Sequence, residues 1–291
     1  MPEGDTVHRA ARQLNAALAG RTLTETDFRV PRFATAYFTG CVVDEVVSRG
    51  KHILIRLPGH TIHSHLKMEG EWHIYERGAR WRKPGFKARV VLGTEQTQAV
   101  GFELGILEVL PRDREEDAVG HLGPDLLGAD WDAARAAENL SRDPLRPIGV
   151  AVLDQRVMAG VGNVYRSELC FLRGVDPREP VGTAGDPRGW VDLAHRILTA
   201  NRERAVRVTT GDRRRGRNLW VYGRRGDPCR RCGTPIESWD LGTAAEPERV
   251  VYRCPRCQPR GTGPEASPAC SSSETQCATS ISRDTVTSPS R

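Results

Sequence analysis

Lysine is scarce in this chain of 291 residues, and long apolar segments are missing from it. Lys stands only at positions 51, 67, 83 and 87, although the sequence contains 43 basic residues and a formal net charge of +6. No run of about 18 apolar residues occurs, so no membrane-spanning helix is predicted. The N-terminus also lacks a basic segment followed by an apolar one, so we expect no signal peptide and a cytoplasmic location.

Arginine therefore supplies nearly all of the positive charge. Its guanidinium binds phosphate oxygens through paired hydrogen bonds, which makes nucleic acid the expected partner class. A second interpretation is that a GC-rich genome encodes Arg in place of Lys. Under that interpretation, each Lys that remains is more informative than a Lys in an average protein.

The spacing of apolar residues differs between parts of the chain. Helical spacing between residues 7 and 18 predicts an N-terminal helix, with Asp5 or Thr6 as its N-cap. From about residue 22 to 110, short β-branched runs separated by Gly and Pro-Gly predict an antiparallel sheet domain. Helical spacing returns in residues 131–207.

Four of the eight cysteines form two close pairs. Cys229-x2-Cys232 and Cys254-x2-Cys257 are separated by 21 residues, which is typical of a zinc ribbon. Four thiolates complete the tetrahedral coordination of Zn²⁺, so we predict one structural zinc ion per chain rather than a catalytic one. Two disulfides are the other interpretation, but they do not fit a cytoplasmic protein.

The remaining cysteines lack this spacing. We expect Cys41 and Cys170 to be small buried apolar side chains. Cys270 and Cys277 lie in residues 259–291, a segment with 17 Ser, Thr or Pro residues and no periodicity. Such a composition cannot bury a core, so we predict a disordered tail in which these two cysteines are incidental.

A glycine-rich turn interrupts the helical region, in VLDQRVMAGVGNVYRSELC at residues 152–170. We predict that a helix ends there and that a new helix starts with Asn163 as its N-cap. Gly160 and Gly162 allow the backbone to approach another group closely. That group is either a phosphate at the helix N-terminus or only the neighbouring helix, and the segment alone does not separate these interpretations.

A lysine begins one of the predicted strands, in RGKHILIRLPG. Alternation places Lys51 on the same face as Ile53 and Ile55, so its ammonium group either extends past the core to solvent or faces a cleft, and we favour the cleft. His63 and His65 alternate on another strand. No third ligand has suitable spacing, so a role on the strand face or against phosphate is predicted rather than a metal site.

Together and in this order, these motifs resemble the formamidopyrimidine-DNA glycosylase and endonuclease VIII family of bifunctional base-excision repair enzymes. The matching stretches are PEG at the N-terminus, RGKHI, SHLKMEG, HLGPDLL, VLDQRVMAGVGNVYRSEL and CRRCG…RVVYRCPRCQ, which cover residues 1–258. The resemblance implies a DNA glycosylase with abasic-site lyase activity and no organic cofactor.

The resemblance also implies catalytic roles for four residues. After removal of Met1, the secondary amine of Pro2 would attack C1′ of the damaged nucleoside and form a Schiff base. This agrees with its chemistry, because an α-amine titrates near about 7.7–8 and a free Lys near about 10.4. Glu3 would act as general acid, Lys51 would bind phosphate and assist β-elimination, and Arg249 would assist δ-elimination.

Four further residues match DNA contacts of the family. Met68 corresponds to the side chain that is wedged into the base stack when the damaged base flips out. Asn163 would hold the DNA backbone at the lesion, and Lys67 and His121 stand where other members contact DNA. The basic run GDRRRGR at residues 211–217 is either a mobile loop near the extruded base or a solvated connector.

The chain departs from the family pattern at Asp5-Thr6, where many members carry Pro-Glu. Either a second carboxylate is dispensable or Asp5 replaces it. The PEG tripeptide, and the absence from GFELGILEVL of the Arg and Phe typical of 8-oxoguanine enzymes, favour the endonuclease VIII side and oxidised pyrimidine substrates. The alternatives are an enzyme for 8-oxoguanine and formamidopyrimidine, a non-catalytic protein that binds damaged DNA, and an RNA-binding zinc ribbon.

The pattern and the resemblance together predict an α+β fold. We expect a monomer that binds damaged double-stranded DNA, with single-stranded DNA as a further partner and a nucleoid-associated location. The predicted segments are a catalytic β-sandwich domain with the N-terminal helix (1–118), a linker (119–130), a helical domain with a helix–two-turns–helix motif (131–222), a zinc finger (223–258) and a disordered tail (259–291).

Overall fold

The computed structural model describes residues 2–243 and 246–261. The chain begins with helix α1 (Gly4–Leu18), whose apolar face of Val7, Leu14 and Leu18 is fully buried. The predicted helix is confirmed, but the prediction of its N-cap was wrong. The cap is Glu3, which has an extended backbone, and no side chain caps the helix there. Asp5 lies in the first turn, with its carboxylate engaged elsewhere.

Two four-stranded antiparallel sheets follow, and α1 packs against them. The first has the order β1-β6-β7-β5 and the second the order β2-β3-β4-β8. Side chains from both sheets and from α1 form one core, as expected of stacked sheets that bury their inner faces. The strands are β1 (Glu25–Phe28), β2 (Glu45–Arg49), β3 (His52–Leu57), β4 (His60–His65), β5 (Glu71–Glu76), β6 (Ala88–Gly93), β7 (Thr97–Phe102) and β8 (Ile106–Pro111).

Strand β3 separates the core from the opposite face of its sheet. Ile53, Ile55 and Leu57 are fully buried in the core between the sheets. Alternation puts His52 on the other face, next to the helical region. Lys51 directly precedes the strand. Apolar and polar side chains are mixed in this segment because it lies at the edge between the core and a cleft.

The helical region has its own core, centred on Tyr165, Leu169, Trp190 and Leu198. Helix α5 begins at Asn163, as expected, but Gly162 is its N-cap, so the prediction that Asn163 caps the helix was wrong. The helix ends at Gly174, whose left-handed φ of 71° allows a tight C-terminal cap. The helices are α2 (Glu116–Val119), α3 (Ala133–Ser141), α4 (Ile148–Ala151), α5 (Asn163–Arg173) and α6 (Pro187–Asn201).

The described chain closes with an antiparallel hairpin of β9 (Glu237–Thr243) and β10 (Glu246–Arg253). The four paired cysteines pack at its base against Phe171 and Val221. These elements confirm the predicted mixture of helices and antiparallel sheets. Among the described residues, no helix is both long and apolar enough to cross a membrane.

The predictions about the unpaired cysteines and the tail are tested only in part. Cys170 is fully buried, whereas Cys41 is half-buried at the margin of the sandwich core. The predicted disorder of residues 259–291 falls almost entirely outside the described residues, and so do Cys270 and Cys277.

Candidate active site

The N-terminal residues of the chain are anchored to the start of helix α5. The fully buried carboxylate of Glu3 accepts hydrogen bonds from the backbone N–H groups of Gly162, Val164 and Tyr165 at 3.0, 2.7 and 3.3 Å. The Gly4 N–H donates to the Gly160 carbonyl at 2.9 Å. The Glu3 carboxylate therefore occupies the helix N-terminus for which a bound phosphate was one interpretation of the sequence.

The glycines of the turn are required by this close approach. A Cβ atom on Gly162 would lie 2.3 Å from Cδ of Glu3, and one on Gly4 would lie 2.8 Å from Cα of Gly160. Gly160 also has a φ of 116°, which L side chains rarely adopt. The group that approaches these glycines is the Glu3-Gly4 segment of this chain, which neither interpretation named.

Asp5 belongs to a buried network that joins α1 to the helical region. Arg207 donates to both of its carboxylate oxygens, from Nε at 2.9 Å and from Nη2 at 2.6 Å, and the Tyr165 hydroxyl donates at 2.9 Å. Burial alone would raise the pKa of Asp5, but the hydrogen bonds and charge of Arg207 outweigh it, so the pKa lies below its ordinary value of 3.8. The Arg207 guanidinium also lies over the Tyr165 ring and 4.0 Å from Glu3.

A cavity of about 550 Å³ lies where the sandwich, the helical region and the hairpin meet. It brings six of the predicted site residues together, although they are far apart in the sequence. These six are Pro2, Lys51, Lys67, Met68, His121 and Arg249. Met68 is 61% exposed, as a side chain available to insert into a ligand must be. Residues 211–217 do not line the cavity.

Lys51 lies at the cavity because the preceding turn is fixed. The Gly50 N–H donates to the Asp125 carboxylate at 2.9 Å, and Gly50 has a φ of 57°. Burial lowers the pKa of Lys51 to about 8, helped by Arg249 and Arg207 and opposed by Glu3. Lys51 therefore exchanges its proton close to neutral pH, as groups involved in proton transfer do.

Asn163 and Glu3 do not line the cavity. The Asn163 amide donates to the Val250 carbonyl at 2.8 Å, and its side-chain oxygen accepts a hydrogen bond from Arg166. Asn163 thus joins helix α5 to strand β10. Its predicted contact with the DNA backbone stays a prediction.

Arg166 is a functional candidate that the sequence interpretation missed. It is fully buried, and Nη2 donates to the carbonyls of Arg249 and Val250 at 2.8 and 3.1 Å. It therefore fixes the part of the hairpin that carries Arg249 at the cavity. The available signal was an Arg three residues after Asn163, on the same face of the helix.

Histidines form much of the cavity wall on the sandwich side. His52 and His63 share a hydrogen bond of 2.8 Å between Nδ1 and Nε2, and His63 Nδ1 lies 3.1 Å from Oε2 of Glu108. The rings of His65 and His121 lie 4.8 and 6.2 Å from that of His52. The sequence interpretation missed His52 and Glu108, because only the pairing of β3, β4 and β8 places them beside His63.

The four paired cysteines have the geometry of a tetrahedral metal site. Their Sγ atoms all lie within 4.8 Å of one another, and three of the separations are 3.4, 3.5 and 3.9 Å. Zn–S bonds of about 2.3 Å require sulfur atoms about 3.8 Å apart, so the arrangement fits one Zn²⁺ ion. Among the described residues, no other group of His, Cys, Asp or Glu meets the same criterion.

Two stretches of the chain match known families. Residues 1–103 match the formamidopyrimidine-DNA glycosylase N-terminal domain, and residues 122–211 match the formamidopyrimidine-DNA glycosylase H2TH domain.

Individual proteins are similar over nearly all of the described chain. The DNA-(apurinic or apyrimidinic site) lyase Nei2 of Mycolicibacterium smegmatis is 57% identical over 258 residues, which cover 89% of this chain and 99% of that protein. Endonuclease 8 2 of Mycobacterium bovis is 54% identical, with 89% and 100% covered. A Lactococcus lactis Fpg, solved in complex with DNA containing an abasic site, has the same fold, with a TM-score of 0.74, 22% identity, and 89% and 100% covered.

Proposed function

The chain belongs to the formamidopyrimidine-DNA glycosylase and endonuclease VIII family, and from this membership we propose that it is a bifunctional DNA glycosylase and abasic-site lyase of base excision repair. The observation that carries the proposal is the meeting of Pro2, Lys51 and Arg249 at one cavity. An N-terminal secondary amine, a Lys with a lowered pKa and a second cation are the groups that imine formation on a phosphate-linked sugar requires.

Pro2 is the proposed nucleophile and Glu3 the proposed proton shuttle. Pro2 transfers its ammonium proton to the adjacent Glu3 carboxylate, and the free amine then attacks C1′. The bond from C1′ to the damaged base breaks, and the base leaves with the second amine proton. Glu3 returns its proton to the ring oxygen as the sugar opens into the iminium. The hydrogen bonds from α5 hold the carboxylate in place during both transfers.

The two eliminations follow from the imine. Loss of a proton from C2′ gives an enamine, which expels the 3′ phosphate as the C3′–O bond breaks. A second elimination begins with loss of a proton from C4′, after which the C5′–O bond breaks and the 5′ phosphate is released. We assign Lys51 to the first elimination and Arg249 to the second, because each places a cation in the cavity that receives the departing phosphates. Met68 is proposed to fill the space left by the flipped base.

Borohydride trapping tests the proposed reaction. Protein with a verified N-terminal Pro2 is incubated with a duplex containing an abasic site, and a covalent adduct is expected after reduction. Pro2→Gly should reduce trapping, and Glu3→Gln should abolish base excision. Thermal unfolding is measured in parallel, because a Gln amide N–H facing the N–H donors of α5 also weakens the anchor. Absence of any adduct from the wild-type chain would leave a non-catalytic protein that binds damaged DNA.

Oxidised pyrimidines are the proposed substrates, with 8-oxoguanine and formamidopyrimidine as the alternative. The two relatives at 57% and 54% identity carry lyase and endonuclease 8 names, which supports the endonuclease VIII side of the family, and the substrate choice rests on that resemblance. A panel of duplexes, each with one lesion, separates the alternatives by single-turnover excision rates. Faster excision of 8-oxoguanine than of any oxidised pyrimidine would reverse the assignment.

One Zn²⁺ ion is proposed to bind Cys229, Cys232, Cys254 and Cys257. Its role there is structural, since four thiolates leave no open coordination position. Cys254→Ser is expected to lose the zinc and to weaken DNA binding, as measured by metal analysis and fluorescence anisotropy. If the zinc-free variant binds DNA with unchanged affinity, the zinc finger does not contribute to DNA binding.

The partner of this site is proposed to be damaged double-stranded DNA. Binding of single-stranded DNA, a monomeric state, a cytoplasmic location and association with the nucleoid stay predictions. A titration with matched single-stranded and double-stranded oligonucleotides at one salt concentration addresses the first of these.

A further inference from the structure

Two carboxylates line a cavity that is otherwise suited to phosphate, Glu108 and Asp154, and Asp154 forms ion pairs with Arg146 and Arg156. Glu108 lines the same cavity as Lys51, Lys67 and Arg249. The negative charge of Glu108 repels the phosphates of DNA bound at this surface, unless a neighbouring group of the protein interacts with the carboxylate. That group is His63, whose Nδ1 atom lies 3.1 Å from Oε2 of Glu108.

The hydrogen bonds fix which nitrogen atoms carry protons. A carboxylate only accepts, so His63 donates from Nδ1 to Glu108. Neutral His63 then has a lone pair on Nε2, which accepts from Nδ1–H of His52 at 2.8 Å. Nε2 of His52 is left as the end of this chain of three groups, and no described residue forms a hydrogen bond with it.

This order is the one that stabilises a charged imidazole. If His52 gains a proton on Nε2, it keeps its hydrogen bond to His63, and the carboxylate of Glu108 balances the new charge through His63. In a catalytic triad, a carboxylate that contacts the imidazole directly stabilises its imidazolium form, whereas here His63 lies between Glu108 and His52. Protonated His52 is a hydrogen-bond donor, which is the form that an anion requires.

In the free protein, the surroundings keep His52 neutral. Burial lowers the pKa of His52 to about 3, together with the nearby His65, His63, His121 and Lys67. Burial and the cations Lys67 and Lys51 lower the pKa of His65 to about 4. The charged or titratable groups around His52 are Arg49 on β2 (paired with Asp130), Lys51 before β3, His63 and His65 on β4, Lys67 after it, Glu108 on β8, His121 after α2, and Asp154, Arg166 and Arg249 on the opposite wall.

We propose that His52, supported by His63 and Glu108, binds a phosphodiester of the DNA as an imidazolium, so that DNA binding takes up a proton from solvent. The phosphate adds the negative charge that the cluster of cations and histidines lacks. This inference rests on the proposed function only in taking DNA as the ligand. His52 is the group that contacts phosphate, and His63 and Glu108 are positioning residues.

Calorimetric titration measures directly the number of protons that the protein takes up when it binds DNA. The full chain is titrated with a duplex containing a tetrahydrofuran abasic analogue, which has no aldehyde for Pro2 to attack. Heats in two buffers of different ionisation enthalpy at pH 6.5 and constant salt give the number of protons bound. We expect a net uptake of up to one proton. The association constant should then fall by up to about tenfold per pH unit as pH rises, because by linkage the complex binds more protons than the free protein.

Three variants assign the proton. His52→Gln, which has no titratable group, should abolish the uptake, and Glu108→Gln should reduce it while leaving His52 in place. His60→Gln is the matched control, because His60 is an exposed histidine on β4 that does not line the cavity. Thermal unfolding of each variant confirms that it is folded, and the two variants in the chain of three groups test the inference independently.

The outcomes separate this inference from the proposed function. Borohydride trapping on a natural abasic duplex is run with the same preparations. Trapping without proton uptake, or with equal uptake in wild type and His52→Gln, overturns the inference and leaves the enzyme intact. Uptake that depends on His52, without trapping, retains the inference and removes the enzyme. Absence of measurable binding counts against both.

Discussion

Replacement of Asp5 by Asn tests whether the buried network with Arg207 fixes the N-terminus. The substitution preserves shape but removes the charge that faces a guanidinium whose side chain is only 13% exposed. Breaking a buried ion pair by removing one partner costs about 3–5 kcal/mol. Glu3, at 4.0 Å, still faces Arg207, so we expect the lower end, about 3 kcal/mol. At about 2–4 °C per kcal/mol, the melting temperature should fall by about 6–12 °C at pH 7.

The effect of Asp5→Asn should also depend on pH. Because the pKa of folded Asp5 lies below 3.8, its contribution is present above that pH and is lost as the pH falls through the folded value. In calorimetric scans, the difference from wild type should therefore be smaller at pH 3 than at pH 7. Asp192→Asn, in an exposed pair with Arg188, is the control and should cost about 0.3–0.5 kcal/mol. If Asp5→Asn costs no more than the control, the network does not anchor the N-terminus.

Three further substitutions, and one control substitution, have expected outcomes. Between pH 8 and 10.5 the unfolded chain retains a proton that folded Lys51 has lost, so the free energy of unfolding from urea titrations should rise with pH in wild type and stay flatter in Lys51→Met. An equal rise in both would show that Lys51 is not desolvated. Gly162→Ala should displace Glu3 and abolish trapping, since its Cβ would lie 2.3 Å from Cδ of Glu3. Gly85→Ala, with its nearest contact at 3.8 Å, should behave as wild type. Met68→Ala should weaken binding to lesion duplex, measured by anisotropy, without changing the melting temperature, because the side chain is 61% exposed. Equal affinity of wild type and Met68→Ala would show that Met68 does not contribute to DNA binding.

The fold class was predictable because its signals are local. The alternation in β3, the helical spacing of α1 and the two cysteine pairs each depend on a few neighbouring residues, and all three elements are confirmed. The family was predictable from the order of short motifs along the chain, and the family matches confirm it.

The caps and the networks were not predictable, because their partners lie far away in the sequence. Asp5 looks like an N-cap when only its neighbours are considered, yet its carboxylate binds Arg207, 202 residues later. Asn163 looks like an N-cap for the same reason, although Glu3 supplies the acceptors for the first amides of α5. Helix propensity at a terminus does not show whether a distant side chain fills the same role.

The anchoring of Glu3 to helix α5 has a consequence for synthesis of the protein. Residues 2–5 leave the ribosome first, but the amides that receive Glu3 belong to residues 162, 164 and 165. At about 5–20 residues per second, the N-terminus waits about 8–32 s for its partner to be made. During that interval the proposed nucleophile is a mobile amine without its acid in place. A chain that stops before residue 165 lacks amides that hold Glu3, so it should not catalyse the proposed excision.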